Sequence, residues 1–210
     1  MKLIVVSTPK NFTTEPQQVT MMFDRGLEIF HLRKPRFSKQ NMIEYLSLIP
    51  ERYHNRIVIH SKHLLALKFN LRGIHLTSAH RKQKIRTWFR IQRLKIKLPE
   101  IKITASFHSL EKLLEEKRVF DYVFLSPVFD SISKAKHQGK FRGQNLEVIL
   151  NKLPQDVIAL GGVDIDRIDE IIDMGFAGMA VLGAIWESDK SLDRFIKIYE
   201  ACKQKNRSLA

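Results

Sequence analysis

The stretch Val157-Ile158-Ala159-Leu160-Gly161-Gly162-Val163 runs four apolar residues into a pair of glycines. A helix-period segment follows from Arg167 to Met174, and a second apolar run, Met179-Ala180-Val181-Leu182, ends on Gly183. Short apolar runs without alternation are those of strands covered on both faces, so the segment reads as strand, helix, strand in a parallel sheet. Working outward, the same unit recurs along the chain. The predicted strands are Leu3 to Val6, Ile29 to Leu32, Ile57 to Ile59, Gly73 to Leu76, Ile101 to Ala105, Tyr122 to Leu125, Val157 to Leu160 and Met179 to Leu182. Helices are predicted after them at Gln17 to Arg25, Lys39 to Leu48, Ser61 to Phe69, Arg86 to Arg93, Leu110 to Lys117, Leu146 to Lys152, Arg167 to Met174 and Leu192 to Lys203. Eight such units, at about 26 residues each, predict an α/β chain forming one compact (β/α)8 TIM barrel, with residues 1–210 as a single domain. The rival is a doubly wound open sheet. It loses its dinucleotide fingerprint, because Ser7-Thr8-Pro9-Lys10 and no glycine motif follows the first strand.

Composition narrows the function. The 210 residues are 44% hydrophobic and 28% charged, inside the globular range, and the single Cys202 excludes an internal disulfide and cysteine-rich zinc frameworks. No apolar run approaches the length of a membrane span, and the start is too short for a signal peptide, so a cytoplasmic enzyme is expected. The 36 Lys and Arg against 22 Asp and Glu give a net charge of +14, which calls for an anionic partner. Nine of the cations lie between Arg81 and Lys102, beside Trp88 and Phe89. Trp88, Ile91 and Leu94 share one helical face, so this segment is read as a solvated basic helix packed on a core by those three, in preference to a nucleic-acid site. The eight histidines show no H-x-x-x-H or H-x-H spacing beside a carboxylate, and no metal site is expected from them.

In this fold the chemistry lies at the C-terminal ends of the strands. Gly161-Gly162 after strand seven and Gly183 after strand eight let backbone N–H groups approach a phosphate, where loops seven and eight commonly hold one. The other strand ends carry His31 and Arg33, then His60, His75 and His80, then Ser106 and His108. The sixth loop, with Ser131, Ser133 and Lys134 among further cations, has the composition of a lid over phosphorylated substrates.

These strand ends are where the sequence resembles a known family, the thiamine phosphate synthase and thiazole tautomerase superfamily. The resemblance rests on Gly26-Leu27-Glu28-Ile29-Phe30-His31-Leu32-Arg33, Gly73-Ile74-His75-Leu76, Asp121-Tyr122-Val123-Phe124-Leu125-Ser126-Pro127-Val128-Phe129, Ala159-Leu160-Gly161-Gly162-Val163 and Gly175-Phe176-Ala177-Gly178-Met179-Ala180-Val181, in that order. It implies the same barrel, and a reaction in which a hydroxymethylpyrimidine diphosphate is coupled to a thiazole phosphate with magnesium on the leaving diphosphate. By position it implies that Arg33, Ser106 and Lys134 contact the diphosphate, with Ser131 and Ser133 in hydroxyl positions. Gly162 and Gly183, beside Gly161, would donate to the thiazole phosphate.

Several positions depart from the family pattern. Its Gln-Leu-Arg-x-Lys stands here as His31-Leu32-Arg33-Lys34-Pro35, its Asn-Asp pair as His60-Ser61, and its acid after strand four at or near His80. Both magnesium carboxylates are thereby missing. The tautomerase branch also lacks them, but its proton-transferring histidine stands here as Pro127, which leaves His108 first and His31 second as proton-transfer candidates. The synthase reading stands first, with a divergent tautomerase or a non-catalytic thiazole phosphate binding protein as alternatives. The expected partners are the phosphorylated thiazole and pyrimidine, with neither membrane nor nucleic acid; a homo-oligomer stays open.

Overall fold

A computed structural model describes residues 1–10, 12–129 and 145–208. Ser131, Ser133 and Lys134 lie outside the described residues. Eight strands, β1 (Lys2–Val6), β2 (Ile29–Leu32), β3 (Ile57–Ile59), β4 (Gly73–Leu76), β5 (Lys102–Phe107), β6 (Tyr122–Leu125), β7 (Asp156–Leu160) and β8 (Gly178–Val181), follow one another in chain order round a closed barrel. Every residue of β2, β3, β4, β6 and β8 is buried, which is why these strands read as apolar runs, interrupted only by His31 in β2 and His75 in β4.

Ten helices lie among the described residues: α1 (Glu15–Asp24), α2 (Lys39–Ser47), α3 (Leu65–Phe69), α4 (Ser78–Lys82), α5 (Lys84–Lys97), α6 (Leu110–Leu114), α7 (Leu146–Asn151), α8 (Ile168–Asp173), α9 (Gly183–Trp186) and α10 (Ser191–Ser208). Local chemistry fixes their starts. Ser38 caps α2 through Asn41, and Thr77 caps α4 with His80 reaching back, a reciprocal pair of bonds in each case. The helix predicted from Ser61 begins instead at Leu65, because Lys62 takes a left-handed backbone (φ 54°) and makes a turn to Leu65. None of these helices is long and apolar enough to cross a membrane.

Contacts divide the chain into two compact units, Val6–Ala105 and Met1–Val5 with Ser106–Ala210. In the first, register places His31 beside Val58, Val58 beside Gly73, and His75 beside Thr104. In the second, β8 lies between β1 and β7, with Gly178 paired to both Lys2 and Ile158.

The reading of the basic helix needs one correction. Trp88 is 55% exposed and Phe89 63%, the two rings meeting edge to face at 4.9 Å, while Thr87 and Leu94 are the buried residues of α5. Leu94 is buried as expected, while at the other end of the stripe Thr87 takes the inner place expected for Trp88. The Thr87 hydroxyl donates to the His80 carbonyl at 2.6 Å, so a polar residue sits on the inner face without cost and displaces the indole outward.

Candidate active site

In the unit Val6–Ala105, three successive strands each bring a histidine to one place. His31 lies in β2, His75 in β4, and His60 is the residue after β3, held there by its N–H on the Leu32 carbonyl at 3.1 Å. Nδ1 of His31 is 2.9 Å from Nε2 of His60, and the His60 and His75 rings stack at 4.0 Å between centroids. All three are buried. His75 Nδ1 lies 2.8 Å from the Thr104 hydroxyl, which itself stands 3.4 Å from the Ile74 carbonyl. Beside them His63 donates from Nε2 to the His75 carbonyl, and its ring lies 4.5 Å from that of His80.

Burial dominates the electrostatics of this cluster. It pushes His31 and His75 well below the usual imidazole range and brings His60 and His63 down to about 3, with Arg33 the largest charge acting on His60 and His80 on His63. At neutral pH these four rings are neutral. Lys39, Lys62, Lys68 and Arg90 line a cleft of about 490 Å³ together with His63 and His80, so fixed positive charge stands outside the neutral rings.

Arg33 is exposed at the end of β2, its backbone pinned by buried Ser7, which accepts from the Arg33 N–H at 2.7 Å and donates to its carbonyl at 3.1 Å. The neighbouring Lys34 turns the other way. It is 1% exposed, ion-paired with fully buried Glu15, and donates to the carbonyls of Thr8 and Lys10 at 2.8 Å each. A lysine one place from the family position is thus a structural cation and stands outside the site. Sequence reading missed Glu15 as its partner, although an acid at the first turn of the first helix was visible.

The second unit presents backbone where the first presents rings. Gly161 and Gly162 both take positive φ, 90° and 66°. A Cβ on Gly161 would lie 2.9 Å from Pro127, so the close approach of the two loops also demands glycine. Phe129 and Val128 donate to the carbonyls of Gly161 and Leu160, holding the segment after β6 against the end of β7. Gly183 opens α9, and a Cβ there would meet the Glu187 carboxylate at 3.0 Å, an acid that the glycine reading did not include. Arg194 of α10 was also missed. It donates to Asp164 at 2.5 Å and to the Ala184 carbonyl at 3.3 Å, tying the loop after β7 to the start of α9. Ser106 is half-buried in β5, and exposed His108 donates from Nδ1 to the Ser126 carbonyl at 2.9 Å.

The donor set does not fit magnesium. His60 is engaged with two other imidazoles, and His80 uses Nδ1 to accept from the Thr77 N–H at 3.2 Å. Magnesium demands a rigid shell of oxygens and favours carboxylates, and neither carboxylate is present: Ser61 stands at one position and His80 at or near the other.

The family model for thiamine monophosphate synthase matches residues 3–185, all eight strands and the start of α9. The chain belongs to this family. It is similar to the thiamine phosphate pyrophosphorylase structure from Bacteroides thetaiotaomicron, 32% identical with a TM-score of 0.74, covering 98% of this chain and 99% of that one. The curated thiamine-phosphate synthase of Pyrococcus abyssi is 25% identical over 95% of each chain. A thiamine phosphate pyrophosphorylase structure from Pyrococcus furiosus, 23% identical with a TM-score of 0.73 over 97% and 96% of the two chains, shares the fold.

Proposed function

We propose that this member of the family is a transferase that joins a thiazole phosphate to a hydroxymethylpyrimidine diphosphate. The observation that supports the reading is the family match across every strand of the barrel, with the glycine pair at the end of β7 at positive φ. In the reaction, the bond from the exocyclic methylene carbon to the diphosphate oxygen breaks, and the electron pair leaves with diphosphate. The thiazole nitrogen gives its lone pair to the resulting carbocation and forms the new C–N bond. Gly161, Gly162 and Gly183 hold the thiazole phosphate through backbone donors, and Arg33 and Lys134 offset the charge of the leaving diphosphate. Ser106, Ser131 and Ser133 supply hydroxyl donors. No carbon-bound proton moves, so the coupling asks no acid–base work of His31 or His108.

Mixing both substrates with the chain and following thiamine phosphate tests this directly. Product is expected, with a rate that added magnesium changes little. Arg33→Gln is expected to lower kcat/KM by roughly 10- to 100-fold, the value of one charge-assisted contact. Absence of product under every metal condition, with thiazole phosphate still bound in calorimetry, would overturn the transferase reading.

A further inference from the structure

We propose that His31, His60 and His75 form a three-histidine site for a transition-metal ion of the zinc class, a site independent of the coupling reading above. The three rings come from β2, the end of β3 and β4, with one ligand nitrogen of each within 4.8 Å of the others. Imidazole is a borderline-soft donor that suits zinc, copper, iron and nickel, and does not suit the oxygen-seeking magnesium. Three protein ligands with one position left over is the composition of catalytic zinc sites.

Geometry supports the site beyond proximity. Around a tetrahedral ion with metal–nitrogen bonds of about 2.0–2.1 Å, ligand nitrogens stand about 3.4 Å apart. The His31–His60 separation of 2.9 Å therefore has to open by about half an ångström, and separations of up to 4.8 Å within the group have to close by as much as about 1.4 Å, which asks for rotation of the side chains on binding. The His75 ring is positioned by the Thr104 hydroxyl, 2.8 Å from its Nδ1, a hydroxyl partner of the kind that metal-binding histidines usually have in the outer shell. Entry is from the His60 side, the most exposed of the three at 8%. Arg33, Arg72 and Arg81 act on the cluster as positive charges and oppose a bare dication. They favour an anion, such as hydroxide, chloride or a phosphate oxygen, at the fourth position.

The test uses the full chain without a histidine tag, stripped with a chelator and titrated with cobalt(II) under visible absorption. One equivalent per chain giving the intense bands of tetrahedral cobalt is expected, displaced by one equivalent of zinc and unaffected by a large excess of magnesium. His75→Phe, which keeps a ring stacked on His60, is expected to weaken cobalt binding by about 100-fold or more, and Thr104→Val by about 10- to 100-fold. His108→Gln is expected to bind as wild type. Weak octahedral bands, a stoichiometry well below one, or full binding in His75→Phe would overturn the site and leave a neutral imidazole network in the core. Should His75→Phe not fold, the wild-type stoichiometry and band intensity decide alone.

Discussion

Two polar clusters are buried in the same unit of the chain and solve the problem of burial in opposite ways. Around Lys34 the charges are kept. The ammonium has three donors, and Glu15 with the carbonyls of Thr8 and Lys10 provides three acceptors, while the rings of Phe37 and Tyr45 each stand 5.6 Å from the nitrogen. Around His60 the charges are given up, and four rings stay neutral. The three ammonium donors are all taken up by groups of the chain, which leaves that cation none for a ligand. A neutral imidazole carries a basic nitrogen, and three of these rings bring such atoms within 4.8 Å of one another, which separates a structural cluster from one with chemical capacity.

The sharpest break between the two is pH. In the folded chain His31, His60, His63 and His75 are held below the ordinary value near 6.5, so the unfolded chain binds more protons throughout the window from about 6.5 down to about 3. Stability from these groups is intact above pH 6.5 and is lost as the pH falls. Each group that takes up a proton only on unfolding contributes a slope of at most about 1.4 kcal/mol per pH unit. Denaturant midpoints measured from pH 7.5 to 4.5 should show this fall, and His60→Phe should remove about one proton from it; a flat profile would mean the rings are charged or solvated.

Removing one partner of the retained pair is the next largest effect. Glu15→Ala leaves Lys34 buried without its counter-charge and should cost about 3–5 kcal/mol in chemical unfolding. The double variant Glu15→Leu with Lys34→Met should recover most of that, since it removes both charges together. A Glu15→Ala cost below about 1 kcal/mol would show that water reaches the pair. The smallest effect is expected at the more open Arg194–Asp164 pair, where the side chains are 32% and 12% exposed. Arg194→Met should cost about 1 kcal/mol, and a cost comparable to Glu15→Ala would erase the distinction between open and buried pairs.

The strands were legible because burial on both faces writes itself as contiguous apolar residues, and all eight were placed within two residues at each end. The barrel order followed from the same repetition. The histidine cluster was not legible as a motif, since its members are 29 and 15 positions apart and meet only through strand pairing. A signal was nevertheless present: three successive strands each carried a histidine at or next to the C-terminal end. Lys34 illustrates a different blindness. A one-place shift on a strand end reverses the face a side chain occupies, and position along a motif does not report that reversal. In α5 the density of cations hid the true inner stripe, because a satisfied threonine took the place an apolar residue was expected to hold.

The outward displacement of Trp88 has an optical consequence. The chain has two tryptophans, and the other, Trp186, is half-buried in the turn that Gly183 begins. One indole therefore emits from water while its counterpart is lodged beside the loop proposed to hold a phosphate. Replacing Trp88 with phenylalanine would silence the constant background and leave fluorescence that follows occupancy of the glycine loops alone, with no attached dye.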